Sequence, residues 1–448
     1  MKKISFIGLG PVGLCMAVCF AAKGYQVTAF EKDASKANQI KSGEPYFYEP
    51  HLEEFLQKTQ NKNLRIVTNN EEAVLQSDIT FITVGTPAKR NGTINLRYLT
   101  EASKEIGKSL KKKKEAHLIV VKSTVTPGTT QNIVKPLVEK NTGRKCGKDF
   151  FLCFNPEFLR EGNAIKDVLE PDYIVIGGYN QKSAGMLKEL YNEFHKEHLP
   201  SIIQTNIPTA ELMKYANNTF LATKISLINT MANICEKIPG ADVTKVAEAI
   251  GKDHRINPHF LNAGLGWGGS CFRKDLQALI TFSKERGYRP MLLEATCRAN
   301  DLQIKFTIEK IKEKLKKIDG KRIAVLGLAF KPNTDDIRES QSIKLVEQLQ
   351  KEGAKVTAYD PMAIPNTRKT LDKGINYALS AIECLKNSDC AILATEWEEF
   401  KKLKPEDFVQ NMKTPILIDC RRLYNQEKLS KQLCYIAIGL GELAEPQL

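Results

Sequence analysis

An α/β fold is predicted by three observations. A strand, a glycine-rich turn, a helix, a second strand and an acidic residue follow one another over residues 3–31. A weaker echo of that order occupies 321–360, and between the two, 206–237 keeps its apolar residues on a helical period. Together they predict two Rossmann-like domains with parallel sheets joined by a long central helix, divided as 1–204, 205–300 and 301–448.

The first unit opens with "KISFIGL" (3–9), an apolar run that reads as a buried strand. Gly8, Gly10 and Gly13, with Val12 between the last two, form GxGxxG, followed by a helical pattern from Leu14 to Lys23 and a strand "QVTAF" that ends at Glu31. Glycines permit a tight turn and close approach of backbone to a pyrophosphate, which sits on the helix N-terminus where amide donors and the dipole favour an anion. Glu31 lies where an acid accepts from ribose hydroxyls and repels a 2′-phosphate, so the expected cofactor is NAD rather than NADP. The same stretch has the basic start and apolar middle of a secretory signal, but the glycine spacing argues for the nucleotide turn instead.

Further strands are expected at "ITFITVGTP" (79–87), "HLIVVKSTVTPG" (117–128), "FFLCFNPEFL" (150–159) and "YIVIGG" (173–178), all in the same parallel sheet. Thr86, Thr124 and Glu157 fall at C-terminal strand ends, where such sheets place ligands. The segment from Asn206 to about Lys237 reads as one long helix, a spine and a dimer surface. In the second unit "KRIAVLGLAFKPNTDD", the helix "SIKLVEQLQKEG" and the strand "KVTAYDP" lead to Asp360. Its turn, GLAF, lacks the second and third phosphate glycines, which suggests either a different nucleotide or structural duplication alone.

The formal net charge is +14, carried in lysine runs such as "KKKK" at 111–114. No arginine-rich or aromatic-interleaved nucleic-acid motif accompanies it, so a phosphate-bearing metabolite is the expected anion, with no nucleic acid and no membrane as partner. The 11 cysteines show no CxxC pair and no Cys/His metal spacing, which points to reduced thiols, a cytoplasmic address and no metal.

One cysteine stands apart. "GWGGSCFRKD" (266–275) sets Cys271 on a flexible loop between glycines and alternating charges, with a helix expected from about Phe272. A helix N-terminus and nearby cations lower a thiol's pKa, which makes Cys271 the natural nucleophile. The other ten cysteines sit mostly in apolar patterns and read as packing residues.

With "GLGPVGL", "VGTP", "KSTVTPGT", "NPEFLREGNAIKDVLEPDYIVIGG", "ELMKYANNTFLA", "GLGWGGSCFRKD" and "AFKPNTDDIRES" in that order, the chain resembles the UDP-glucose 6-dehydrogenase family over nearly its whole length. These are NAD-dependent enzymes that oxidise a sugar's C6 alcohol to a carboxylate. The resemblance implies that Cys271 traps the aldehyde as a thiohemiacetal and carries it to a thioester. It implies that Lys214 and Asn218 face the reacting C6 oxygen, and that Asp275 works with Lys214 on a water. Glu157 is implied as the base for thioester hydrolysis, one turn from Glu161 if that segment is helical; Glu161 lies near the nicotinamide and Thr124 holds the water.

Arg338 is expected to reach the cofactor by the same likeness. Gly8, Gly10, Val12, Gly13, Glu31, Lys36, Thr86, Thr124, Glu161 and Lys274 complete the cofactor set. The sugar nucleotide, expected to be UDP-glucose, would meet Phe158, Leu159, Arg160, Lys214, Asn218, Phe260, Leu261, Gly268 and Lys331, with Arg255 reaching the site of a neighbouring subunit in a homodimer or higher homo-oligomer.

Two positions depart from the family pattern. Arg273 stands where proline is usual, adding a cation that could lower the Cys271 pKa or alter the loop; Pro11 replaces a commoner aromatic and is compatible with the first helical position. Within the family, GDP-mannose and UDP-N-acetylmannosamine are the rival substrates. A catalytically silent NAD-binding scaffold and a nucleic-acid-binding protein are the rivals from other classes, and the triad Cys271, Lys214 and Asp275 argues against the first.

Overall fold

The structure, a computed structural model, describes residues 1–371 and 374–442. The chain divides into two compact units, Met1–Asn217 with Gln277–Arg286, and Asn218–Leu276 with Gly287–Leu448. Both are α/β.

The first unit holds β1 (Ile4–Ile7), β2 (Val27–Phe30), β3 (Leu64–Val67), β4 (Ile79–Ile82), β5 (Leu118–Val121), β6 (Phe151–Phe154), β7 (Tyr173–Gly178) and β8 (Ser201–Asn206). Their order is β3-β2-β1-β4-β5-β6-β7-β8, so the chain reverses direction across the sheet between β1 and β4. That is the switch point where doubly wound sheets bind ligands. Ile4 pairs with Val27 on one side and Ile79 on the other. The helix Pro11–Ala22 is buried from Gly13 to Ala21, which accounts for its apolar character as core packing. Phe6 stacks on Phe81 at 5.1 Å beneath it.

One strand corrects the expected all-parallel sheet. β7 runs antiparallel to β6, with Cys153 opposite Gly178. The helix between them, Ala164–Leu169, has only 6 residues. At about 1.5 Å per residue it is too short to carry the chain back over the sheet for a parallel crossover. β8 then pairs parallel to β7 after the helix Gln181–Phe194.

The second unit holds β9 (Arg322–Leu326), β10 (Lys355–Tyr359), β11 (Ile375–Tyr377), β12 (Cys390–Leu393), β13 (Ile416–Asp419) and β14 (Cys434–Ala437). The order β11-β10-β9-β12-β13-β14, with every pairing parallel, repeats the pattern of the first six strands of the other sheet. Its core is built on fully buried Ile323, Val325, Leu345, Leu349 and Ile392. The long helix, Ile207–Cys235, has 29 residues, and a second long helix, Met291–Leu315, has 25.

Candidate active site

The dinucleotide turn is assembled by side chains as well as glycines. Gly8 takes φ +97°, and a Cβ on Gly13 would lie 2.1 Å from the Gly8 carbonyl oxygen, so neither position accepts a larger residue. Thr83, just past β4, closes the turn by donating its hydroxyl to Gly8 O at 2.7 Å. A Cβ on Gly10 would meet nothing within 4 Å, so the open side of the turn lies there, at the N-cap of Pro11–Ala22.

Glu31 accepts from Leu9 N–H at 2.9 Å and Asp33 N–H at 3.0 Å, which holds its half-buried carboxylate beside the turn. Tyr46 donates to Leu9 O at 2.9 Å, and Lys36 Nζ lies 4.6 Å from the centre of the Tyr46 ring. Val12 is the second residue of the helix, and Thr86 donates to Thr124 O at 2.7 Å, tying the end of β4 to that of β5. An open glycine edge, a helix N-terminus and a held acid are the donor set and shape that NAD requires.

The segment after β6 is irregular rather than helical, so Glu157 and Glu161 do not stand one helical turn apart as the spacing suggested. A proline at 156 and the carboxylate's own bond to Leu159 N–H (2.8 Å) keep the backbone extended. Glu157 is buried and pairs with Lys214 at 3.0 Å. Burial alone would raise its pKa, but the Lys214 charge and hydrogen bond hold it below the ordinary carboxylate range. Lys214 Nζ also lies 5.5 Å from the Phe158 ring centre, and Phe158 packs on Tyr173 at 5.0 Å. Leu159 is half-buried, whereas exposed Arg160 is gripped by Asp167, its Nε donating at 3.0 Å.

Four buried residues of this cluster escaped the sequence reading. Lys122 donates to Asn155 Oδ1 at 2.7 Å and to Pro156 O at 3.3 Å. Tyr191 donates to the same Oδ1 at 2.5 Å, and Asn155 donates to Val175 O at 2.7 Å. Burial lowers the Lys122 pKa to about 7. Glu211, 3 residues before Lys214, accepts from Gly128 N–H at 2.5 Å and Thr130 N–H at 2.8 Å. Burial raises it to about 7 despite those donors. The signal for all four was a polar residue within or next to an apolar run.

In the second unit the cysteine loop is locked rather than flexible. Trp267 N–H donates to Asn300 Oδ1 at 2.8 Å, and Trp267 O accepts from Asn300 Nδ2 at 3.0 Å and Gln341 Nε2 at 3.2 Å. Trp267 Nε1 donates to Ser226 Oγ at 2.9 Å. The glycines serve close approach: a Cβ on Gly266, Gly268 or Gly269 would lie 2.4 Å from Asn300 Oδ1, 2.6 Å from Glu339 O and 2.8 Å from the Phe330 ring.

Cys271 is exposed and immediately precedes the helix Phe272–Lys284. Eight other cysteines are buried, Cys297 is half-buried and Cys434 exposed. Asp275, buried in that helix's first turn, accepts from Asn218 Nδ2 at 2.7 Å and pairs with Lys274.

Phe260 sits at φ +64° and is half-buried, and Leu261 is buried. Lys331 Nζ lies 5.9 Å from the Phe330 ring centre on the loop 327–340. Arg338 and Arg255, like Arg160, are exposed and each forks onto a local acid, Asp336 at 2.6 Å and Asp253 at 2.5 Å. Such forks match diphosphate as well as carboxylate. Among the described residues no group of three or more His, Cys, Asp or Glu could hold a metal, and no helix is long and apolar enough to cross a membrane.

Residues 2–195 match the NAD binding domain of the UDP-glucose/GDP-mannose dehydrogenase family, 208–302 its central domain and 324–426 its UDP binding domain. UDP-glucose 6-dehydrogenase AglM of Haloferax volcanii is 42% identical over 95% of this chain and 98% of its own length. The structure of a UDP-glucose dehydrogenase from Pyrobaculum islandicum superposes with a TM-score of 0.91 at 36% identity, covering 98% of both chains. A UDP-D-ManNAc dehydrogenase from Pyrococcus horikoshii gives 0.86 at 29%, over 98% of this chain and 100% of that one. With a glycine turn shaped for NAD in one unit and an exposed cysteine on a locked loop in the other, the chain belongs to the UDP-glucose/GDP-mannose dehydrogenase family.

Proposed function

We propose that this protein oxidises the C6 alcohol of UDP-glucose to the carboxylate of UDP-glucuronate, using Cys271 as a covalent relay. The observation that carries the reading is the Cys271 thiol, exposed at a helix N-terminus on a loop pinned by Asn300, Gln341 and Ser226. NAD, when bound, accepts a hydride in each of the two oxidations.

Asp275, held by Asn218, takes the alcohol proton through a water, and Lys214 steadies negative charge on the C6 oxygen. The thiol adds to the aldehyde carbon, forming the C–S bond of a thiohemiacetal, so the aldehyde does not escape. Loss of the second hydride and a proton leaves a thioester. Glu157, kept ionised by Lys214, draws a proton from the attacking water, and cleavage of the C–S bond returns the thiol. Thr124 holds that water.

Glu31, Lys36, Thr86, Glu161, Lys274 and Arg338 hold the cofactor in this reading. Phe158, Leu159, Arg160, Phe260, Leu261, Gly268 and Lys331 hold the sugar nucleotide. For that role Arg160, Arg255 and Arg338 exchange their aspartates for phosphate oxygens or a neighbouring subunit's ligand.

The chain works as a nucleotide part (1–204), a central part (205–300) and a sugar-nucleotide part (301–448), in the cytoplasm and as a homodimer or larger homo-oligomer. The apolar face Phe220, Leu227 and Ile234 on the long helix, 66%, 54% and 47% exposed, supports self-association. The test is the NADH yield with each sugar nucleotide. Two NADH per UDP-glucose is expected; turnover only with GDP-mannose or UDP-N-acetylmannosamine overturns the substrate assignment.

A further inference from the structure

Arg273 lies two residues after Cys271, in the first turn of the helix Phe272–Lys284, and its side chain is only 16% exposed. Its guanidinium reaches three separate elements. It forks onto Asp301 of the helix Met291–Leu315, with Nη1 3.3 Å from Oδ2. Its Nε stands 3.3 Å from Glu339 Oε2, an ion-pair distance without hydrogen-bond alignment. Its Cζ lies 5.5 Å from the centre of the Trp267 ring.

Those contacts enclose the cysteine loop. Trp267 is the residue whose main chain Asn300 and Gln341 grip, and Asn300 is the neighbour of Asp301. Glu339 carries φ +52°, a strained conformation for a residue with a Cβ, which persists only where the surroundings over-determine it. Its carbonyl abuts Gly268, and its carboxylate is shared between Arg273 and Lys344 at 2.8 Å. With two carboxylates against it, the Arg273 charge is compensated locally and adds little field at the thiol. What remains is geometric: a planar fork touching Asp301, Glu339 and Trp267 at once.

We infer that Arg273 is a positioning residue for the Cys271 thiol, fixing where the sulfur stands rather than how acidic it is. The inference rests on Cys271 being the nucleophile. Proline rigidifies a turn through its ring, whereas here three side-chain contacts hold the turn after the cysteine. The ionic clamp ties the nucleophile's loop to the segment 327–340, which carries Lys331 and Arg338.

The test uses the full-length protein with four single variants. Arg273→Met should lower kcat by about 30- to 100-fold while KM for UDP-glucose stays within about threefold, the pattern of a lost transition-state alignment. The pH midpoint for alkylation of Cys271 by iodoacetamide, read on its own peptide by mass spectrometry, should not move. Arg273→Lys should recover little, because an ammonium lacks the fork.

Asp301→Asn and Glu339→Gln should each reproduce part of the kcat loss, and they decide the matter if the Arg273 variants do not fold. An unchanged kcat in Arg273→Met, or in both acid variants where it does not fold, overturns the inference. So does a midpoint displaced by a full pH unit and restored by lysine. Cys271→Ser, run alongside, separates the two ideas: full turnover there sinks the nucleophile reading, whereas a dead Cys271→Ser beside a normal Arg273→Met sinks the clamp alone.

Discussion

Glu31 and Asp360 hold the same place in the two sheets, directly after the second strand of a β–α–β unit, yet they do different things. Glu31 is half-buried and accepts from two backbone amides, Leu9 and Asp33. Asp360 is 2% exposed and accepts from Leu328, Ala329, Met362 and Ala363 N–H and from Trp397 Nε1. The turns differ likewise. Gly10 faces open space, and the helix begins at once at Pro11. In the second unit Gly327 is packed on Thr395, and no helix begins until Gln341. A shared strand order therefore does not carry a shared nucleotide site. The acid of the second unit is a staple for its own loop, and residues 327–340 replace the tight turn with a longer, cation-bearing segment.

The largest effect should come from the glycines. Gly13→Ala would place a Cβ 2.1 Å from Gly8 O and 2.7 Å from Thr83 Oγ1. It should weaken NAD binding by about 100-fold or more, read by calorimetry, since the backbone must move where the pyrophosphate docks. Gly327→Ala would collide with Thr395 at 2.4 Å at φ +101°. It should lower the melting temperature and leave NAD affinity per folded molecule unchanged. If both variants lose NAD equally, the contrast between the turns fails.

The acids should separate next. Asp360→Asn keeps the shape but loses charge-assisted acceptance from five donors and should cost about 2–4 kcal/mol of stability by urea titration. Glu31→Gln should cost less than about 1 kcal/mol of stability yet weaken NAD about tenfold and narrow the preference over NADP. A stability loss at Glu31 equal to that at Asp360 would show both acids to be staples.

A smaller, pH-dependent effect distinguishes the buried groups of the first unit. Burial sets the folded pKa of Lys122 at about 7, against an ordinary 10.5, so the unfolded chain binds more protons between those values and stability rises with pH there. Glu211 is the opposite case, raised from 4.5 to about 7, so stability falls as pH climbs through that window. Lys122→Met should flatten the alkaline rise and Glu211→Gln the acid-side fall, each changing the melting temperature by on the order of 3 °C across its window. Unchanged slopes would mean neither group titrates as its burial implies.

Much of this was legible in the sequence because glycine, acid and apolar period carry local instructions. The first glycine turn, the long helix ending at Cys235 and the start of the cysteine helix at Phe272 all follow from residues close in the chain. The missed parts depend on distant partners. β8 alternates weakly and is largely exposed, so no buried period announces it. The antiparallel entry of β7 turns on the shortness of Ala164–Leu169.

Among the functional candidates, Lys122 finds Asn155 33 residues away and Glu211 finds Gly128 83 residues away, contacts that no local pattern encodes. The flexibility suggested by three glycines before Cys271 was misleading for the same reason, because Asn300, Gln341, Glu339 and Phe330 fill the space those glycines leave.

The covalent relay is tested most directly by turnover of Cys271→Ser with UDP-glucose and NAD, beside the unmodified protein. The account predicts that UDP-glucuronate production falls by at least about 1,000-fold, since a serine hydroxyl at neutral pH cannot replace the thiolate that carries the thioester. Two NADH per UDP-glucose at an undiminished rate from that variant would contradict it.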